Sequence, residues 1–232
     1  MGLYQSMRAL SRAAVCAKTS ALLQGTEKHQ AINKTKKYFE LACRFLIECP
    51  PILIACGGLS GSGKSRIARE IGGLMNPAPG AVILRDDVVK KQITGLAPHQ
   101  RFNKTTNSPA FDKIVYEVLR QQATCALQNG STVIVDALFD NEYERMAIQA
   151  LADSLHIPFI GLWMDAPINV RKKRVEFRKK APLTNRKEKE LECQLCLETG
   201  HISWHQINTD MPKEDTIQQV VKILKAHSNI NF

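Results

Sequence analysis

The chain has 232 residues, 44% of them hydrophobic, and a formal net charge of +10 at pH 7. This length suffices for one α/β domain with residues left over, and no apolar run approaches the ~18 residues of a membrane-spanning helix, so we expect no membrane among the partners. Seven cysteines, an odd number without a disulfide pattern, favour a reducing compartment. We therefore expect a cytoplasmic protein.

The first 49 residues are predicted to form two amphipathic helices. In the first helix, Leu3, Met7 and Leu10 recur at helical spacing. A second apolar stripe follows and must stop at the proline pair at 50 and 51, which cannot continue a helix. We predict a helical appendage over residues 1–49 and a separate domain over residues 50–232. Because the first 24 residues lack acids, a cleaved transit peptide remains the alternative for that stretch.

An apolar run that begins at Ile52 breaks into glycines and ends on Lys64 and Ser65. The spacing is that of a P-loop, in which glycines allow backbone N–H groups to surround phosphate oxygens. We expect Lys64 to reach the β- and γ-phosphates of ATP, and Ser65 to ligate Mg²⁺. The alternative is a glycine-rich turn without a nucleotide. The predicted nucleotide-binding residues are Gly58, Ser60, Gly61, Ser62, Gly63, Lys64 and Ser65.

Strand-like and helix-like segments alternate after the P-loop. The predicted strands span residues 81–84, 132–136, 158–163 and 203–208, and the predicted helices span residues 111–128, 141–154, 168–180, 187–198 and 213–227. This alternation predicts an α/β fold, a doubly wound parallel sheet of about five strands. Ligands bind such sheets at the carboxyl ends of the strands.

Acidic residues follow two of the predicted strands. Asp136 ends a wholly apolar strand and suits an outer-sphere Mg²⁺ role, although capping of the next turn is the alternative. Asp87, or failing that Asp86, suits the acid that orients and deprotonates an acceptor hydroxyl. One or both of this pair could instead cap the helix that is predicted to start near Val88.

Arginines on one face of a predicted helix provide candidate cations for a triphosphate. Arg171, Arg174 and Arg178 are three and four residues apart and so share a helix face. A lid helix that closes over phosphates would carry such a row, and a solvated basic face is the alternative. The segment 165–190 holds ten Lys and Arg against four Asp and Glu, which favours phosphate or nucleic acid as a partner.

Four stretches resemble a known family, the predicted P-loop kinases often fused behind an aminoglycoside-phosphotransferase-like domain, and more distantly the polynucleotide-kinase and zeta-toxin group. The resemblance covers about residues 50–225. The stretches are Gly-Gly-Leu-Ser-Gly-Ser-Gly-Lys-Ser at 57–65, Arg-Asp-Asp-Val-Val-Lys-Lys at 85–91, Val-Ile-Val-Asp-Ala at 133–137 and Leu-Trp-Met-Asp-Ala-Pro at 162–167.

The resemblance implies further assignments. In this group the acceptor-side acid lies in an Asp-x-apolar-Arg/Lys pattern, which matches Asp87 with Lys90 and favours Asp87 over Asp86. Residues 4–13 are similar to the last helices of the fused domain, which implies that the appendage docks on a phosphotransferase-like domain or chain. The short acidic lid segment of the family is replaced here by residues 182–186, Pro-Leu-Thr-Asn-Arg.

These observations predict an ATP- and Mg²⁺-dependent kinase that phosphorylates a hydroxyl of a small molecule or nucleotide. Two alternatives remain open. One is a 5′-hydroxyl polynucleotide kinase that holds nucleic acid on the basic block 171–189. The other is a nucleotide-binding module that regulates or scaffolds a partner through residues 1–49 without transferring phosphate.

The P-loop interpretation predicts that nucleotide affinity depends on Lys64. Lys64→Ala removes a charge-assisted contact worth about 1.5–3 kcal/mol, so ATP affinity should fall roughly ten- to hundredfold. Isothermal calorimetry measures this change, and circular dichroism shows whether the variant is folded. Unchanged affinity in a folded variant would contradict the interpretation.

Overall fold

The structure is a computed structural model that describes residues 2–47, 49–97, 108–179 and 199–227, with side chains as far as residue 177 in the third range. These residues form eight helices and five strands. The helices are α1 (Gly2–Ala21), α2 (Gly25–Arg44), α3 (Lys64–Leu74), α4 (Asp86–Thr94), α5 (Pro109–Gln128), α6 (Glu142–Ser154), α7 (Ile168–Lys179) and α8 (Lys213–His227). The strands are β1 (Leu53–Gly57), β2 (Val82–Arg85), β3 (Val133–Asp136), β4 (Phe159–Asp165) and β5 (His205–Asn208).

All five strands form one parallel sheet in the order β2-β3-β1-β4-β5. The central strands β1 and β3 are buried along their whole length, as expected for strands that are apolar except for Asp136 at the end of β3. The register pairs Cys56 of β1 and Arg85 of β2 with Asp136 of β3. The predicted α/β fold with five parallel strands is confirmed, and the carboxyl ends of β1, β2 and β3 meet at one edge.

The chain divides into two compact units, one of which contains the first 49 residues together with residues 73–81. In this unit α1 contacts α2, and the buried residues of α1 are the small ones Ser6, Ala9 and Ala13. Larger apolar side chains of α1, such as those of Leu3 and Met7, stay exposed. Docking of this appendage on a phosphotransferase-like partner remains a prediction.

The second unit contains residues 50–72 and 82–229 and thus carries the sheet. Several of its elements differ in length from the sequence prediction. Helix α4 begins at Asp86 instead of near Val88, and β4 continues to Asp165. The predicted helix 187–198 lies outside the described residues. No helix of the described residues is long and apolar enough to cross a membrane.

A tryptophan packs across the sheet beside β4. The indole of Trp204 occupies the space where a Cβ on Gly161 would lie, and its far edge would also meet a Cβ on Gly57 at 3.0 Å. Trp204 is 6% exposed and contacts Phe139 edge-on, with ring centroids 5.0 Å apart. The two glycines therefore make room for a large core side chain.

This packing predicts that Gly161→Ala destabilises the protein by about 2 kcal/mol or more, because a buried indole must move. Urea unfolding followed by Trp fluorescence measures the change. Gly73→Ala is the matched control, since a Cβ at this helical position meets nothing within 4 Å and should be neutral or slightly stabilising. Equal effects of the two substitutions would contradict the packing argument.

Candidate functional site

The predicted P-loop is the turn between β1, which ends at Gly57, and α3, which begins at Lys64. Inside the turn, the N–H of Ser62 donates to the carbonyl of Leu59 at 3.1 Å. The first N–H groups of a helix have no partner within the helix, so the start of α3 adds backbone donors to the loop. The start of α3 therefore suits a bound anion, whereas the Ser62 N–H is already used inside the turn.

Two glycines of the loop touch neighbouring backbone so closely that no side chain fits. Gly61 has φ +82°, and a Cβ there would lie 2.6 Å from the carbonyl oxygen of Arg171. Gly58 has φ +141°, and a Cβ there would overlap the carbonyl oxygen of Met164. The loop therefore lies against the end of β4 and the first turn of α7, with its shape fixed by backbone contact.

Side chains from two other elements fasten the loop. The hydroxyl of Thr209, just after β5, donates to the carbonyl of Ser62 at 2.6 Å. The guanidinium of Arg174 on α7 donates to the carbonyl of Thr209 at 2.6 Å and to that of Gly61 at 3.4 Å. Arg174, predicted as a phosphate contact, thus binds backbone carbonyls in the described structure.

Lys64, Ser65 and Asp136 meet where β1, β3 and α3 converge. Lys64 is 6% exposed and Asp136 only 2%. Burial raises the pKa of Asp136, while the charge of Lys64 and a hydrogen bond with Ser65 oppose that rise. One carboxylate oxygen of Asp136, Oδ1, has no hydrogen-bond partner among the described residues. The predicted metal-side residues therefore lie together.

This arrangement fits a nucleotide with Mg²⁺. A glycine cradle closed to side chains leaves its backbone donors for phosphate oxygens, and buried Lys64 supplies a cation. Ser65 and the unpartnered oxygen of Asp136 are hard oxygen donors of the kind that Mg²⁺ prefers. The described residues contain no group of three or more His, Cys, Asp or Glu side chains that could hold a metal. Phosphate oxygens would have to complete the coordination.

The two acids at the start of α4 have different surroundings. Asp86 is 9% exposed and lies close enough to Asp136 and Tyr116 to raise the pKa of both, in addition to the larger effect of burial. Asp87 is half-exposed and accepts a hydrogen bond from Arg85 at 2.8 Å. The sequence pattern favoured Asp87 as the acceptor-side acid. Burial and proximity to Asp136 instead favour Asp86 for this role.

Arg171 is a buried cation at the base of the P-loop. It is 5% exposed, and its Nε and Nη1 atoms have no hydrogen-bond partner among the described residues. Buried polar atoms without a hydrogen-bond partner are costly and uncommon, and a missing ligand is one explanation for them. The third predicted arginine, Arg178, lies in α7, and its side chain is outside the described residues.

Both serines inside the loop are buried, and the Oγ of Ser62 has no hydrogen-bond partner among the described residues. Ser60 is 3% exposed. The hydroxyl of Ser62 can donate to a phosphate oxygen. A Cβ on the neighbouring Gly63 would make only ordinary contacts, but the backbone there has φ +94°, which favours glycine. The nucleotide-binding role of these residues stays a prediction.

Sequence reasoning missed four residues that support the site. Thr209 and Arg145 carry no motif, and Tyr116 resembled an ordinary helix residue. Arg145 is 3% exposed and donates to the carbonyls of Phe139 at 2.7 Å and Thr199 at 2.6 Å, which joins the loop after β3 to the chain before β5. The fourth residue, Arg85, directly precedes the aspartate pair and follows a predicted strand, which was its only sequence signal, because its alignment with Asp136 is visible only in the folded sheet.

Residues 53–195, more than half of the chain, match the model of the family described as AAA domain. The chain belongs to the AAA domain family. No curated protein sequence matches it significantly.

Solved structures of this fold include several kinases. The APS kinase of Mycobacterium tuberculosis, solved with AMPPNP and APS, has a TM-score of 0.58 and 19% identity over 76% of this chain and 98% of its own. A sugar kinase of a Janibacter species has a TM-score of 0.55 and 18% identity over 76% and 95%. Kti12 of Chaetomium thermophilum, solved with ADP-AlF3, has a TM-score of 0.57 and 18% identity over 76% and 99%. At these identities the likeness shows that this AAA domain protein shares their fold.

The raised pKa of Asp136 predicts a stability effect. Because its pKa is higher in the folded protein than in the unfolded chain, ionisation of Asp136 opposes folding above the folded pKa, and this cost vanishes below the unfolded pKa. Asp136→Asn should therefore raise the Tm at pH 8, by about 2–4 °C for each kcal/mol gained. The gain should disappear near pH 4, the ordinary range of a carboxyl.

Thermal unfolding of the nucleotide-free protein at pH 8 and pH 4 measures this difference. Asp153→Asn on the exposed side of α6 is the matched control and should leave the Tm unchanged at both values. A Tm for Asp136→Asn below that of the wild type at pH 8 would show that the charged form stabilises the fold.

Proposed function

We propose that this AAA domain protein is an ATP- and Mg²⁺-dependent kinase that transfers the γ-phosphoryl group to a hydroxyl of a small molecule or nucleotide. The observation that carries the proposal is a glycine loop that excludes side chains, where buried Lys64 and Asp136 interact by charge and the backbone of buried Arg171 touches Gly61. Buried charges are costly, and three of them at one loop are explained by a highly charged ligand.

Each charged residue has a role in this reaction. Backbone N–H groups of the loop and Lys64 would hold the β- and γ-phosphates, and Arg171 would offer its unpartnered N–H groups to the developing charge. Ser65 and Asp136 would hold Mg²⁺, which neutralises charge on the phosphates when bound. Arg174 has a positioning role, because its described contacts fix the loop against Thr209.

The acceptor side lies at the ends of β2 and β3. The acceptor oxygen forms a bond to the γ-phosphorus as the bond to the bridging oxygen of ADP breaks, and the hydroxyl proton moves to a carboxylate. Asp86 or Asp87 would receive that proton. Burial and proximity to Asp136 favour Asp86, while the motif favours Asp87.

A small acceptor is better supported than a polynucleotide. The polynucleotide alternative depends on the basic block 171–189, but within its described part Arg171 and Arg174 lie against the P-loop. Only Lys172 and Lys173 of that part are exposed cations. Sugar and APS kinases with this fold, as their names state, act on small acceptors.

Incubation with γ-labelled ATP and a panel of sugars, nucleosides, peptidoglycan precursors and oligonucleotides tests the proposal. Label should transfer to a small hydroxyl compound and require Mg²⁺. Transfer to oligonucleotides alone would establish the polynucleotide alternative. Nucleotide binding without transfer to any acceptor would favour the regulatory module.

With the acceptor known, the aspartates can be compared. Asp86→Asn keeps the size of the side chain but removes its charge, so transfer should fall by about 10²–10⁴ while ATP affinity stays within a few-fold. Asp87→Asn should reduce transfer much less. If Asp87→Asn is the inactive variant, the motif-based assignment is correct, and full activity of both variants would contradict the role of an acid here.

A further inference from the structure

Arg85 lies between two carboxylates at the end of β2. Its Nη2 donates to Oδ2 of Asp87 at 2.8 Å, whereas its Nε lies 3.6 Å from Oδ2 of Asp136. The second distance exceeds that of a hydrogen bond, and Nε is buried without a hydrogen-bond partner among the described residues. The guanidinium thus forms a hydrogen bond with Asp87, and it interacts with Asp136 only through its charge.

The backbone determines this arrangement. Arg85 and Asp136 are paired in register on neighbouring parallel strands, so both side chains leave the sheet at the same level. The next residues begin α4, and the helical turn brings Asp87 back beside the guanidinium. Asp136 is buried, whereas Arg85 and Asp87 have side-chain exposures of 34% and 41%, so either partner of that ion pair can rearrange.

We propose that the Arg85–Asp87 ion pair sets the Mg²⁺ affinity of the site by holding the guanidinium away from the metal-side carboxylate. This inference rests on the proposed role of Asp136. In this arrangement Arg85 lowers the metal affinity of Asp136 only through its charge. If Asp87 were neutral, the guanidinium would be free to close the remaining distance and bind Asp136 with charge-assisted hydrogen bonds. Arg85 and Asp87 are positioning residues in this account.

The test measures ADP affinity by calorimetry at pH 8.5, once with MgCl₂ and once with EDTA, and takes the ratio of the two affinities as the Mg²⁺ dependence. Arg85→Gln removes a cation beside Asp136, so the ratio should rise about three- to tenfold. Asp87→Asn releases the guanidinium, so the ratio should fall by about the same factor. ADP affinity in EDTA should stay within twofold for both.

The double variant gives the decisive comparison. With Arg85 already replaced by Gln, Asp87→Asn should change the ratio by less than about twofold, because no guanidinium remains to be released. If Asp87→Asn lowered the ratio equally in the wild type and in Arg85→Gln, Asp87 would act on the metal directly. That result would overturn the proposal. A ratio that falls or stays unchanged in Arg85→Gln would overturn it as well.

Two further variants complete the design. Lys90→Gln is the matched control, since Lys90 is a nearby cation of α4 that pairs with Asp112 at 2.6 Å, and its ratio should stay within twofold of the wild type. Arg85→Met replaces Arg85→Gln if the latter unfolds. A wild-type protein without Mg²⁺-dependent ADP binding would overturn the proposed function too, whereas a Mg²⁺-dependent wild type with unresponsive variants would overturn this inference alone.

Discussion

The site depends on one close approach, that of the α7 backbone to Gly61 in the P-loop. A Cβ on Gly61 would lie 2.6 Å from the carbonyl oxygen of Arg171, so the loop and the first turn of α7 are in direct backbone contact. The same helix carries Arg171, which is buried, and Arg174, whose guanidinium donates to the carbonyls of Gly61 and Thr209. Rigid support of this kind is what anion binding needs, because donors that are already in place cost no reorganisation when charge develops.

The cost of this arrangement is a set of buried charges. Asp136 keeps a raised pKa although Lys64 and Ser65 stabilise its charged form, which shows that burial outweighs their help. Two nitrogen atoms of Arg171 lack partners among the described residues. A core built only for stability would not contain these groups. Unpartnered buried charges distinguish the site from structural ion pairs elsewhere, such as that of Arg120 with Glu144, in which each charge has a partner.

The fold was predictable because its signals are local. Apolar strands such as 133–135 and a glycine loop that ends on Lys64 are readable without knowing which strands are neighbours. Strand order, and with it the alignment of Arg85 with Asp136, depends on contacts between distant segments and has no local signal. For the same reason the helical spacing of Arg171 and Arg174 predicted a shared face but could not show that two nitrogen atoms of Arg171 lack partners among the described residues while Arg174 binds Thr209.

The Arg-Asp-Asp sequence at 85–87 shows how a junction gives different surroundings to adjacent residues. Successive side chains alternate along a strand but turn by about 100° each in a helix, so a strand that leads directly into a helix sends three consecutive side chains in three directions. Arg85, as the last residue of β2, faces Asp136 across the sheet edge, Asp86 turns inward, and Asp87 meets Arg85 again. A cation placed between two acids reduces the repulsion between them, which allows a generally basic protein to hold Asp87 and Asp136 close to each other at this edge of the sheet.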